Sequence, residues 1–330
     1  MRIWIFLLLP FALTAFEGEI ESSQEIQPWF TGPLLTTSGN IVPIGHVATQ
    51  PYIFGLARTA FYDNQWHSQS IETLASLQFR TPVWIGLTSW ADVRIAPVWM
   101  WNHRSHQSQW TLGDWSIQLN FQLHQDSLPY KNWLPSIKLM IRETFPTGPY
   151  QKLNPNKLGT DGGGRGAYTT MFGLGASKIF YFSGYHFLDL RLNMAYSIPT
   201  NVHVRGYNNY GGGNNTNGTV SPEREFFAII SFEYSLNRNW GISCDIEGVV
   251  FSKVTFKGRP GTVPAQDSLV NPTGVPASNE RLASIQYSAA PGIQYNWSEN
   301  LGVIGGVWFT FAGKNSSRFT SGLLSLNYFH

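Results

Sequence analysis

The sequence holds one cysteine, Cys244, so no intramolecular disulfide can brace it and stability has to come from backbone pairing and packing. Charge is scarce as well: 13% of the 330 residues are charged, where soluble domains average about 25%. The basic residues are scattered and the net charge is only +2, which gives a nucleic-acid partner no footing. Long apolar runs are missing too. Beyond the N-terminal stretch nothing approaches the ~20 consecutive apolar residues of a transmembrane helix, so helical insertion is excluded. No metal and no cofactor is expected.

The N-terminal stretch itself reads as an export signal. Arg2 supplies a short positive region, Ile3 to Leu13 is almost wholly apolar, and Ala15 offers a small residue for cleavage before Phe16. Residues 1–15 are therefore expected to be a secretory signal peptide.

Aromatics are abundant, at 15%, with 13 Trp, 14 Tyr and 22 Phe, yet the mean hydropathy is only −0.15. A β-barrel wall reconciles the two, because half of each strand faces lipid and the other half faces water. Period-two alternation supports it. Phe226, Ala228, Ile230, Phe232, Tyr234 and Leu236 share one parity, with Ser231, Glu233 and Ser235 on the other. Trp240, Ile242, Cys244 and Ile246 repeat the pattern after a turn at 237–239, which makes Cys244 a small wall residue. Strands are predicted at 52–62, 71–85, 92–101, 113–124, 134–145, 168–181, 186–198, 225–236, 240–251, 282–296, 301–312 and 319–330. That is an all-β, antiparallel transmembrane barrel of about twelve strands over 51–330, an even number as bacterial barrels require.

The connections alternate in length. Short turns at 182–185, 237–239 and 297–300 read as periplasmic, and long Gly-, Pro- and Asn-rich stretches at 146–167, 199–223 and 252–281 as extracellular. Trp90, Trp133, Phe182, Tyr185, Trp240, Tyr295, Trp297, Tyr328 and Phe329 lie near the periplasmic ends, where amphipathic rings favour the membrane interface. The last strand runs to His330 and resembles the signal read by the barrel-assembly machinery, with His where the usual pattern has Phe. The glycine runs 162–166 and 211–213 open no helix, so a phosphate cradle is not indicated; they read as loop flexibility.

Several short motifs resemble a barrel family named after the meta-pathway of phenol degradation. They are Pro28-Trp29-Phe30-Thr31-Gly32-Pro33-Leu34-Leu35, Pro43-Ile44-Gly45-His46, Pro51-Tyr52-Ile53-Phe54, Gly86-Leu87-Thr88, Gly113-Asp114-Trp115 and Phe145-Pro146-Thr147-Gly148. The resemblance spans most of the chain after the signal. It implies an outer-membrane channel or transporter for small solutes, with links to aromatic compounds, and no catalytic residues.

Ionisable residues on the polar parity are Glu72, Arg80, Arg94, Asp114, Lys138, Arg142, Asp189, Arg191, Glu233, Asp245 and Glu247. On the lipid face an Arg or Lys would cost ~2 to 4 kcal/mol at the midplane, so all are expected to point into the lumen. There they either set selectivity or close the barrel with ion pairs. Residues 16–50 show no alternation and form either a lumen plug or a periplasmic tail. A plug is favoured because Trp29, Phe30, Leu34 and Leu35 are costly to leave in water.

Two other roles compete. Three long loops suit a surface structural protein or adhesin, and His103-Arg104-Ser105 is superficially suited to an outer-membrane phospholipase, although His106-Gln107 replaces the Asn-Gly that follows the serine in that family.

Overall fold

A computed structural model describes residues 28–126, 133–264 and 274–330. The predicted signal peptide lies outside the described residues. Sixteen hydrogen-bonded segments make one closed antiparallel sheet, and eight of them join in pairs, so the wall is a barrel of twelve strands. Four strands are each broken in two: β1 (Val47–Thr49 and Tyr52–Tyr62), β2 (Ser68–Arg80 and Val83–Gly86), β3 (Ala91–Ala96 and Val98–Arg104) and β4 (Gln107–Leu112 and Trp115–His124). The others are β5 (Ser136–Phe145), β6 (Thr169–Ser183), β7 (His186–Pro199), β8 (Glu225–Ser235), β9 (Trp240–Phe251), β10 (Ser284–Asn296), β11 (Leu301–Lys314) and β12 (Ser316–Phe329).

Each strand pairs with its neighbour in sequence, and β12 returns to β1 from Tyr52↔Ser325 to Tyr62↔Ser316. The lower end of that seam is sealed by the chain terminus: His330 N donates to the Val47 carbonyl at 2.8 Å and Val47 N to the His330 carbonyl at 2.9 Å. His46 stacks on Phe329 beside it at 5.2 Å. The histidine that departs from the usual terminal pattern thus closes the ring.

Proline explains three of the four breaks, because Pro51, Pro82 and Pro97 bring no N–H to the ladder. Their carbonyls still accept: Gln50 N donates to Pro82 O, Thr81 N to Pro97 O and Leu326 N to Pro51 O, at 3.2 to 3.3 Å. The wall therefore stays hydrogen-bonded across the breaks. The expected strands at 92–101 and 113–124 are both longer than alternation suggested, since a tight turn at Ser105 and His106 joins 98–104 to 107–112. Ser105 takes a positive φ of 53° there.

Side chains follow the two-residue period. Phe226, Ile230 and Phe232 on β8, Ile246 and Val250 on β9, and Leu324 and Leu326 on β12 face outward and are exposed, as a lipid-facing belt requires. Cys244 belongs to this outer face. The interfacial ring is present at the short-turn end, where Trp240, Tyr295 and Trp297 pack edge to face at 4.9 and 5.4 Å. By loop length this is the periplasmic side.

At the opposite end the long loops fold together. Val202–Arg205, Asn217–Ser221 and Thr255–Arg259 form a three-stranded sheet, and Val202, Val204, Tyr210, Val220 and Val254 give it a core with Ala167. The Tyr210 hydroxyl donates to the Arg165 carbonyl at 2.6 Å, and burial holds the phenol's pKa up at about 12, so it stays a donor. The glycine runs are not loose tether, contrary to expectation. A Cβ on Gly163 would collide with the Leu112 carbonyl and one on Gly212 with the Asn208 side chain. The first run packs against the edge of Gln107–Leu112 that no strand pairs, and close backbone approach is what the missing side chains permit.

Candidate functional site: the barrel lumen

The segment before β1 runs inside the barrel. Its backbone has no strand partner from Thr31 to Val42, so inward side chains of the wall accept its amide protons instead. Thr31 N donates to Gln294 Oε1 (2.8 Å), Gly32 N to Glu233 Oε1 (3.0 Å), Leu35 N and Thr36 N to the two Asp245 oxygens (both 3.2 Å) and Thr37 N to Asn193 Oδ1 (2.8 Å). Gly39 N then donates to Ser177 Oγ (2.9 Å), Ile41 N to Gln122 Oε1 (2.9 Å) and Val42 N to Asp92 Oδ2 (2.7 Å). The chain therefore follows the inner wall from β10 through β9, β8, β7, β6 and β4 to β3, as a strap.

Apolar contacts fix it on one side. Leu34 is 2% exposed and packs with Phe54, Ala290, Ile304 and Leu323, with Leu35 beside them. Trp29 lies under the Arg238 guanidinium at 4.2 Å, and Phe30 lines the lumen. All four aromatic and leucine residues singled out in the sequence thus belong to this strap.

The expected lumen acids gather on one side, around Arg191. On β7 to β9, Arg191 bridges Asp189 (2.7 Å) and Glu233 (3.0 Å), Asp245 holds the strap, and Glu247 accepts from Ser288 Oγ at 2.8 Å. On β2, β3 and β5 stand Arg80, Arg94, Lys138 and Arg142, and among the described residues no ion pair joins any of the four to a carboxylate. Arg80 is held by Gln78, Arg94 by Gln118, Lys138 by the Asn40 carbonyl of the strap and Arg142 by the Met171 sulfur.

Two of the expected lumen residues are elsewhere. Glu72 pairs with Arg104 at 2.9 Å on the extracellular rim, both side chains about half exposed. Asp114 sits at the break in β4 and fastens the loop cap, accepting from Gly148 N (3.0 Å) and Arg165 N (2.7 Å). Parity gives the face of a strand but not the depth along it, and both residues lie toward the long-loop end of the barrel. Burial raises the Asp114 carboxyl above its ordinary pKa, with the amide bonds opposing.

Two cavities of about 560 Å³ each occupy the lumen, and Phe54, Arg80 and Trp308 belong to the walls of both. Trp308 is held by a hydrogen bond to Ser288 Oγ (2.9 Å) and an edge contact with Phe319 at 4.7 Å. The inner cavity is bounded by the strap and the four unpaired cations, the outer one by Arg58 and the cap residues Glu223, Val254 and Arg281.

Sequence reasoning missed the strap's acceptors Asp92, Gln122, Asn193 and Gln294, whose signal was only polar parity, and the inward aromatics Tyr52, Phe54 and Trp308, which had none. The candidate hydrolase pair is not assembled: His103 Nδ1 contacts Ser108 Oγ at 2.8 Å, and Ser105 Oγ lies 3.2 Å from His106 Nδ1.

The fold is that of outer-membrane barrels. An outer membrane channel from Pseudomonas putida F1 is similar at a TM-score of 0.64 and 10% identity, over 88% of this chain and 97% of that one. The β domain of the Bordetella autotransporter Brka (TM-score 0.43, 9% identity, 86% and 98% covered) and the NanC porin (0.41, 7%, 84% and 98%) are similar at lower scores. No family model and no curated protein matches the chain.

Proposed function

We propose that the protein is an outer-membrane channel for small solutes, with the strap as its plug. The observation that carries this reading is the pair of adjoining lumen cavities meeting at Phe54, Arg80 and Trp308. A barrel of ~8 strands fills with its own side chains, and one of ~16 stands open; twelve strands leave room that a folded-in segment can narrow. The unpaired Arg80, Arg94, Lys138 and Arg142 argue against an interior built only to seal itself, because a sealing network would match its charges. The channel role of the similar Pseudomonas barrel agrees with this reading, as does the resemblance to the phenol meta-pathway family, which extends it to aromatic solutes.

Reconstitution tests it. Discrete conductance in planar bilayers, together with swelling of liposomes in a panel of sugars, salts and aromatic compounds, is the expected result. A barrel that neither conducts nor admits any solute would favour the alternative in which the folded loop cap serves surface attachment.

A further inference from the structure

Arg80 and Arg94 are each laid on an aromatic ring, Arg80 over Phe54 at 5.1 Å and Arg94 over Trp84 at 5.2 Å. Stacking uses the flat faces of a guanidinium and leaves its N–H edge to acceptors; Gln78 takes one N–H of Arg80 and Gln118 one of Arg94, and the remaining N–H groups of each edge are what can fork onto a carboxylate. Both arginines line the inner cavity, and Lys138 and Arg142 line it from β5.

Two donors in the same wall are buried without an acceptor, Arg94 Nε and Gln50 Nε2. Of the four carboxylates that border this space, Asp189, Asp92 and Glu247 are already engaged and Glu299 stands exposed on the turn after β10. Arg191 holds Asp189, the Val42 amide and the Asn120 side chain hold Asp92, and the Ser288 hydroxyl holds Glu247. What the cavity offers is four cations without an ion-pair partner among the described residues and two unmatched N–H groups, next to the rings of Tyr52, Phe54 and Trp308.

We propose that the inner cavity binds a small aromatic carboxylate, with its carboxylate on the free edges of Arg80 and Arg94 and its ring against Tyr52, Phe54 and Trp308. The proposal rests on the channel reading for the route by which the ligand arrives. A hydrocarbon would use the rings and leave the donors empty. A bare anion such as phosphate would meet the donors and leave the rings unused. A cavity of about 560 Å³ accommodates a single-ring acid together with water.

Calorimetric titration of the purified full chain in detergent, with benzoate, acetate, inorganic phosphate and benzyl alcohol, is the test. Benzoate is expected to bind saturably and to be preferred over each of the other three by about tenfold, the worth of one charge-assisted hydrogen bond or one ring contact. Arg94→Gln is expected to weaken benzoate by a similar factor, Arg94→Lys by less, and Arg104→Gln on the rim not at all. Arg80→Gln serves the same purpose should Arg94→Gln fail to give the heat-modifiable gel mobility of an assembled barrel.

Benzoate binding no tighter than benzyl alcohol, or no tighter than acetate or phosphate, would overturn the proposal, as would full affinity in Arg94→Gln. The channel reading fails separately: a protein that binds benzoate but never conducts contradicts transport and leaves this site standing.

Discussion

Leu34 stands on Gly306. A Cβ on that glycine would lie 2.6 Å from the Leu34 Cδ1 atom, and one on its cross-strand partner Gly292 would lie 3.1 Å away. The two absent side chains form a socket in β10 and β11 into which the strap drops its leucine. Leu34→Ala empties that socket and, by the scale of buried leucine truncations, weakens docking of the strap by about 2 to 5 kcal/mol. Single-channel records are expected to become noisier, with a larger mean conductance. A trace unchanged from the parent would show that the leucine does not hold the strap.

Asp245 is a charged anchor of the strap, accepting from Leu35 N, Thr36 N and the Thr36 hydroxyl. Asp245→Ala leaves two backbone amides without partners, at a cost of about 1 to 3 kcal/mol for each donor left buried. Proteolysis of the strap from the periplasmic side should accelerate, read as loss of the N-terminal segment by mass spectrometry. Equal cleavage rates in parent and variant would remove Asp245 from this role.

Where the two cavities meet, Trp308 projects from β11 between Ser288 and Phe319. Trp308→Ala is expected to merge the cavities and raise conductance severalfold while the strap stays docked. Conductance that does not change would place the narrowest point elsewhere in the lumen.

The loop cap depends on Asp114, which fastens Gly148 and Arg165 from below. Asp114→Ala should free the chain around Arg165, and trypsin added outside intact cells is expected to cut after Arg165 faster than in the parent. An unaltered cleavage rate would mean that the core around Tyr210 and Val204 holds the cap unaided.

Much of this architecture was legible in the chain itself. The alternation at 225–251 gives β8 and β9 to within one residue because one face of each strand meets lipid and the other meets water, and that contrast is written at period two. The strap's path was not legible. It has no period, and the amides that it gives to the wall find acceptors between 50 and 263 positions away, a pairing that only barrel closure brings about. The lumen charges show a similar division: Arg94 and Asp245 face inward, while Glu72 and Asp114 share their parity and sit on the rim or under the cap. The glycines at 162–164 and 211–213 carry the composition of a flexible tether, and the collisions that a Cβ would suffer there come from residues far away in sequence.

The central claim is that the strap narrows a conducting lumen, and single-channel recording of the full chain beside a variant lacking residues 28–42 tests it most directly. The account predicts discrete conductance for the full chain and a severalfold larger one for the shortened chain. Equal conductance in the two, or none in either, would contradict it.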